Sequence, residues 1–142
     1  MTASEQLGNI MSAQADLMDA IIDILENIQS SLLRSDGAAL ERYTAREEEL
    51  LRPFHDLESE RVRCVADLGA GDGSMKDLLG HLPDSERAAI HELADRMRVS
   101  ARRIVEVNAQ NSVLLGGVQR FVHETLRIVT DDSRRKLVDE RV

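Results

Sequence analysis

The spacing of apolar residues in the last third of the chain constrains its fold most. From Asp84 to about Val129, the residues Ile90, Leu93, Met97, Ala101, Ile104, Asn108, Asn111, Leu115, Val118, Val122 and Leu126 follow one another at steps of three or four. This is the seam of a coiled coil or helix bundle. At roughly 1.5 Å per residue, a helix of about 45 residues spans about 68 Å, so an elongated molecule is expected. Two features break the stripe: the asparagines Asn108 and Asn111, and the pair Gly116-Gly117. An interior helical glycine costs about 1 kcal/mol relative to alanine. The segment therefore reads as one built to pack against something conditionally.

Two further stretches carry the same spacing. Between Ser4 and Leu33, the stripe is Leu7, Met11, Gln14, Met18, Ile21, Leu25, Ile28 and Leu32, with Gln14 its one polar member and Ser4 the expected cap. After the turn signal Ser35-Asp36-Gly37, the stretch from Ala38 to Leu68 keeps Leu40, Tyr43, Glu47, Leu50, Phe54, Leu57, Arg61, Val65 and Leu68 in phase. Pro53 lies inside it and removes the backbone bond to Glu49, so a kink or break is expected there. Gly69 ends the helix. The run Ala70-Gly71-Asp72-Gly73-Ser74 reads as a mobile loop, and Met75 to Leu82 as a short helix stopped by Pro83. Asp84 or Ser85 is expected to cap the long third helix. The stripe ends at Thr130, and residues 131–142, with mixed acids and bases, read as a frayed polar tail behind a single helical domain of residues 1–130.

Composition agrees with an all-α fold: an elongated antiparallel bundle or coiled coil of three main helices with a long C-terminal helix. Aromatic residues make up 2% of the 142 and there is no Trp, which argues against strands. The formal net charge of -8, with no basic stripe, argues against nucleic acid as a partner. Cys64, the one cysteine, has no internal disulfide partner, which fits a reducing compartment. The start Met1-Thr2-Ala3-Ser4-Glu5 lacks the basic and apolar parts of a secretory signal. No apolar run is long enough for membrane insertion.

Candidate chemistry is sparse. The stretch Val65-Ala66-Asp67-Leu68-Gly69-Ala70-Gly71-Asp72-Gly73 resembles the glycine-rich turn of nucleotide-fold methyltransferases. That turn needs a strand before it and a parallel sheet around it, whereas the residues here have helical period, so an interhelical loop is the better reading. A di-metal bundle would set Glu three residues before His; Arg52, Leu78, Ala88 and Arg120 stand there instead, before His55, His81, His91 and His123. His91-Glu92-Leu93-Ala94-Asp95 lacks the Lys and Gly of a phosphotransfer helix. The Glu47-Glu48-Glu49 run, and the spacings Glu48 with Arg52 and Asp56 with Glu60, read as a solvated face. No catalytic, cofactor or metal residues are assigned. For Asn108 and Asn111 there are two readings, a buried polar layer that fixes register and hydrogen bonding to a partner chain.

The turn and second helix, Asp36-x3-Leu40 followed by Arg46, Leu50-Leu51, Leu57-Glu58 and Arg61, together with Asn108-x2-Asn111-x2-Leu114-Leu115-x2-Val118 in the third, resemble the flagellar export chaperones of the FlgN family. The resemblance covers roughly Leu7 to Leu126. It implies a cytoplasmic, non-enzymatic chaperone, without cofactor, that holds hook-associated proteins before their secretion through the flagellar type III export apparatus. It also implies a client-binding set in the C-terminal amphipathic helix: Asn108, Asn111, Leu114, Leu115, Val118, Phe121, Val122 and Leu126. Family members with a late tyrosine use it at the export gate; the one tyrosine here, Tyr43, lies in the second helix, so that contact is not implied. The rival reading is a self-associating coiled-coil adaptor with no client, a homodimer in the simplest case. Mass in solution separates a monomer that forms one-to-one complexes from a client-free oligomer.

Overall fold

The computed structural model describes the backbone of residues 1–70 and 74–140, and the side chains of these residues apart from 118, 121, 122, 125, 126 and 128–140. Four helices account for nearly all of it: α1 (Ala3–Leu33), α2 (Gly37–Asp67), α3 (Met75–Gly80) and α4 (Asp84–Glu140). The architecture is all-α, as the periodicity predicts. α4 has 57 residues, about 86 Å at 1.5 Å per residue.

Local chemistry sets the ends. Thr2, rather than Ser4, caps α1: its hydroxyl accepts from the Glu5 N–H while the Glu5 carboxylate accepts from the Thr2 N–H, a reciprocal capping box. Ser4 is instead buried in the first turn. Asp36 caps α2 through the Ala39 N–H. Gly69 stands just past the C-cap Leu68 with φ of 84°, a left-handed conformation open to glycine. Ser74 caps α3, which stops at Gly80, two residues short of the expected end. For α4, the Pro83 carbonyl accepts from the Glu86 and Arg87 N–H groups, so Asp84 and Ser85 sit in the first turn rather than at the cap.

Neither a break at Pro53 nor an end of the long helix at Thr130 is seen. α2 continues through Pro53 without a break. Pro53 and Glu49 are both on the exposed face, so water can take the carbonyl that the missing N–H leaves free. α4 also runs on past Thr130 to Glu140. Arg134, Arg135, Lys136, Leu137 and Glu140 favour helix without needing an apolar stripe. The side chains of this tail and residues 71–73 of the expected mobile loop lie outside the described residues.

α1 is the central helix. Both α2 and α4 pack along it, and α2 and α4 barely meet each other. α2 returns antiparallel, with Cys64 Sγ donating to the Ala3 carbonyl at 3.2 Å. α4 runs parallel to α1: Gly8 lies beside Ile90, Arg96 bonds Asp16 and Asp19, Arg103 bonds Glu26, and Gln29 bonds Gln110. One apolar cluster at the end closed by α3 gathers Leu7, Ile10, Met11, Cys64, Val65, Leu78, Leu82 and Ile90. A second gathers Ile21, Leu25, Ile28, Leu32, Leu50 and Val107 toward the α1–α2 turn. The whole α1 stripe is buried. Since α1 ends level with about Leu114, residues 115–140 of α4 run about 39 Å past the helical hairpin, at 1.5 Å per residue.

Candidate functional site

The asparagine pair divides on inspection. Asn111 is 8% exposed, and its Nδ2 donates to the Leu25 carbonyl at 3.0 Å. Its Oδ1 is buried and accepts no hydrogen bond among the described residues. Asn108 is exposed, on the flank. The same offset recurs along α4. Ser100 and Val107 are buried and Leu114 is half-buried, whereas Ala101, Asn108 and Leu115 are exposed. The observed seam is thus Ile90, Leu93, Met97, Ser100, Ile104, Val107, Asn111 and Leu114. This is a strict heptad, the 3.5-residue period of helices that stay in register by supercoiling. The expected stripe departs from it by one position at Ala101, Asn108 and Leu115 and coincides with it at Ile104 and Asn111. Of the expected client-binding residues, Asn111 and Leu114 therefore face the bundle, and Asn108 and Leu115 lie exposed on its flank. The side chains of Val118, Phe121, Val122 and Leu126 lie outside the described residues.

Because α2 and α4 both lean on α1, a cleft of about 240 Å³ opens between them near the α1–α2 turn. Leu25, Ile28 and Leu32 form its floor, Leu40, Thr44 and Glu47 one wall, and Asn108, Asn111 and Leu115 the other. Burial, reinforced by the neighbouring Glu48, pushes the Glu47 carboxyl above the usual carboxylate range. Further along α4, an open hollow of about 550 Å³ is lined by Gly116, Gln119, Arg120, His123 and Glu124. A Cβ added at Gly116 or Gly117 would meet nothing within 4 Å, so close packing of the described residues does not require these glycines.

The other candidates take structural places. Val65 to Asp67 end a helix rather than a strand, so the methyltransferase-like stretch lacks its strand. His81, just past α3, approaches Asp77, and His91 approaches Asp95 one turn along α4. Among the described residues no cluster of His, Cys, Asp or Glu could hold a metal ion. Burial raises the pKa of the Cys64 thiol, whose proton is given to Ala3, which leaves it a poor nucleophile. The acidic run pairs through Arg46–Glu49, not through Glu48 and Arg52, among the described residues, and further along α2 Glu58 pairs with Arg61. One polar layer was not anticipated. Fully buried Gln14 donates to Glu58 at 2.9 Å, and Arg61 grips the same carboxylate from Nε and Nη2 at 2.9 and 2.6 Å. Its signal in the sequence was a glutamine in one seam and an arginine in the seam that faces it.

No helix among the described residues is long and apolar enough to cross a membrane. A family model described as FlgN protein matches residues 1–137, almost the whole chain. The chain belongs to that family, a family of chaperones of flagellar assembly. No curated protein and no solved structure gives a match.

Proposed function

We propose that this member of the FlgN family is a cytoplasmic export chaperone that binds hook-associated proteins through the distal part of α4 and keeps them competent for the flagellar type III export apparatus. The observation that carries this reading is the overhang. α4 continues about 39 Å beyond the hairpin, at 1.5 Å per residue, and its sequence there still offers Val118, Phe121, Val122 and Leu126. Neither α1 nor α2 extends far enough to cover that stretch. An apolar stripe left over in this way marks an interaction surface, and an amphipathic helix laid against a helical client buries it. Leu115, 42% exposed, begins the stripe where the bundle ends.

Hydrogen exchange tests the proposal. Amides beyond Gly117 are expected to exchange fast in the free protein and slowly with a hook-associated protein bound. Strong, equal protection in both states refutes it, as does undiminished client binding by a chain ending at Gly117. Protection that grows with protein concentration in the absence of a client assigns the stripe to a homodimer instead.

A further inference from the structure

The turn that joins α1 to α2 is strained in a way that its counterpart at the end of α2 is not. Both helices end in the same hydrogen-bond pattern. At α1, the Ser35 N–H donates to the Leu32 carbonyl at 3.3 Å and the Asp36 N–H to the Ser31 carbonyl at 2.9 Å. At α2, the Gly69 N–H donates to the Ala66 carbonyl at 3.0 Å and the Ala70 N–H to the Val65 carbonyl at 3.3 Å. This closure needs a left-handed residue just past the cap, where glycine is free of strain. Gly69 meets the need with φ of 84°. At the α1 end the position is held by Ser35, with φ of 55°, the one residue other than glycine with positive φ among the described residues. A Cβ in that conformation crowds the backbone.

We infer that this turn is a hinge through which two copies of the chain exchange α1, each α1 completing the other copy's bundle. Short hinge loops under strain favour such exchange, because the open form releases the strain and repeats the contacts of the closed one. The turn is residues 34–36, between Leu33 and Gly37. Arg34 is already right-handed, with φ of -92° and ψ of -2°. Rotation at Ser35 and Asp36 then joins α1 and α2 into one helix over residues 3–67, about 98 Å long at 1.5 Å per residue. α1 and α2 are antiparallel in the bundle. Two such straight helices, laid antiparallel about a two-fold axis at the turn, therefore restore both α1–α2 pairings. α1 is also the natural part to exchange, since α2 and α4 barely meet except through it. A second copy's α1 brings the same partners: Asp16 and Asp19 for Arg96, Glu26 for Arg103, and Gln14 for Glu58.

Two substitutions at the hinge test it in opposite directions, in the full chain refolded from urea over a series of concentrations and sized by chromatography with light scattering. Ser35→Gly removes the strain from the closed turn, and each dimer holds two hinges. At about fivefold per hinge, the dimer should weaken roughly thirtyfold. Asp36→Ala removes the cap that the closed turn gives α2 through the Ala39 N–H. A continuous helix does not need that cap, so the dimer should strengthen by a similar factor. A dimer held through distal α4 would ignore both changes, and neither changes α4, so the outcome is separate from the client reading. Ala3→Cys reads which chains are joined. Cys64 Sγ lies 3.2 Å from the Ala3 carbonyl, so oxidation should link two chains in the dimer fraction and close one chain on itself in the monomer fraction. Monomer throughout the series, even in Asp36→Ala, overturns the inference. So does a dimer that responds to neither hinge variant, or an oxidised dimer fraction that separates into single closed chains under denaturing conditions.

Discussion

Replacing Gly116 and Gly117 together by alanine tests the idea that α4 is conditional beyond the bundle. Both glycines lie within α4, and a Cβ at either meets no heavy atom within 4 Å. Alanine therefore brings no steric cost, only the gain in helix propensity, about 1 kcal/mol for each position. Together they contribute about 2 kcal/mol, roughly thirtyfold in the local opening equilibrium of the helix that follows. Hydrogen exchange followed by mass spectrometry should show amides beyond Gly117 slowed by up to that factor in the free protein. Amides of the α1–α2 hairpin should be unchanged, since the hairpin does not extend that far. Binding of a hook-associated protein should tighten by up to the same factor, because the helix is organised before the encounter. Unchanged or faster exchange beyond Gly117 refutes the reasoning. Slower exchange combined with weaker binding would mean that the glycines make room for the client rather than loosen the helix.

Leu25 is 2% exposed at the centre of the second core cluster and touches the cleft floor, so Leu25→Ala should cost about 3 kcal/mol in urea denaturation; a loss below about 1 kcal/mol would mean that the heptad assignment is out of phase. The Arg61 hydrogen bonds hold the Glu58 carboxyl below its ordinary value, against opposition from burial and with further help from Gln14. A depressed carboxylate adds stability that is present above its unfolded pKa, near 4.3, and is lost as pH falls through the lower folded value. Glu58→Gln should therefore flatten the acid side of the stability profile below about pH 4, and an unaltered acid limb would rule out this contribution.

Most of this architecture was legible in residue spacing, and the exceptions have specific physical causes. α1 and α2 were read in the right phase because large apolar residues fill nearly every seam position. Gln14 kept its place in the stripe although polar, and it proved to be fully buried. In α4 the seam passes through Ser100, a small polar residue whose hydroxyl donates to Asp19 at 3.3 Å in the contact with α1. Ala101 beside it is the more apolar choice. The stripe returns to phase at Ile104 and Asn111, and the same one-residue offset recurs at Asn108 beside buried Val107 and at Leu115 beside half-buried Leu114. Of the kink or break expected at Pro53, the break does not occur, because proline's penalty depends on where the freed carbonyl points, which spacing does not record. The cleft was not legible. It depends on α2 and α4 both preferring α1 to each other, a tertiary choice that their separate stripes leave open.

The position of the glycine pair connects fold to function. Up to Leu114, α4 is tied to α1 by Arg96, Ser100, Arg103, Gln110 and Asn111, and by Val107 in the core. Helices in proteins owe most of their stability to such packing rather than to propensity. α1 ends at Leu33, and the support that it gives ends with it. Gly116 and Gly117 follow within one turn, so the helix loses its tertiary support and meets its two weakest residues at the same level. Either change alone would be modest. Their coincidence makes that level the natural boundary between the packed bundle and the distal helix whose apolar stripe the proposed function assigns to a client. The cleft lies at the same end of the hairpin, and Leu115 belongs to both surfaces.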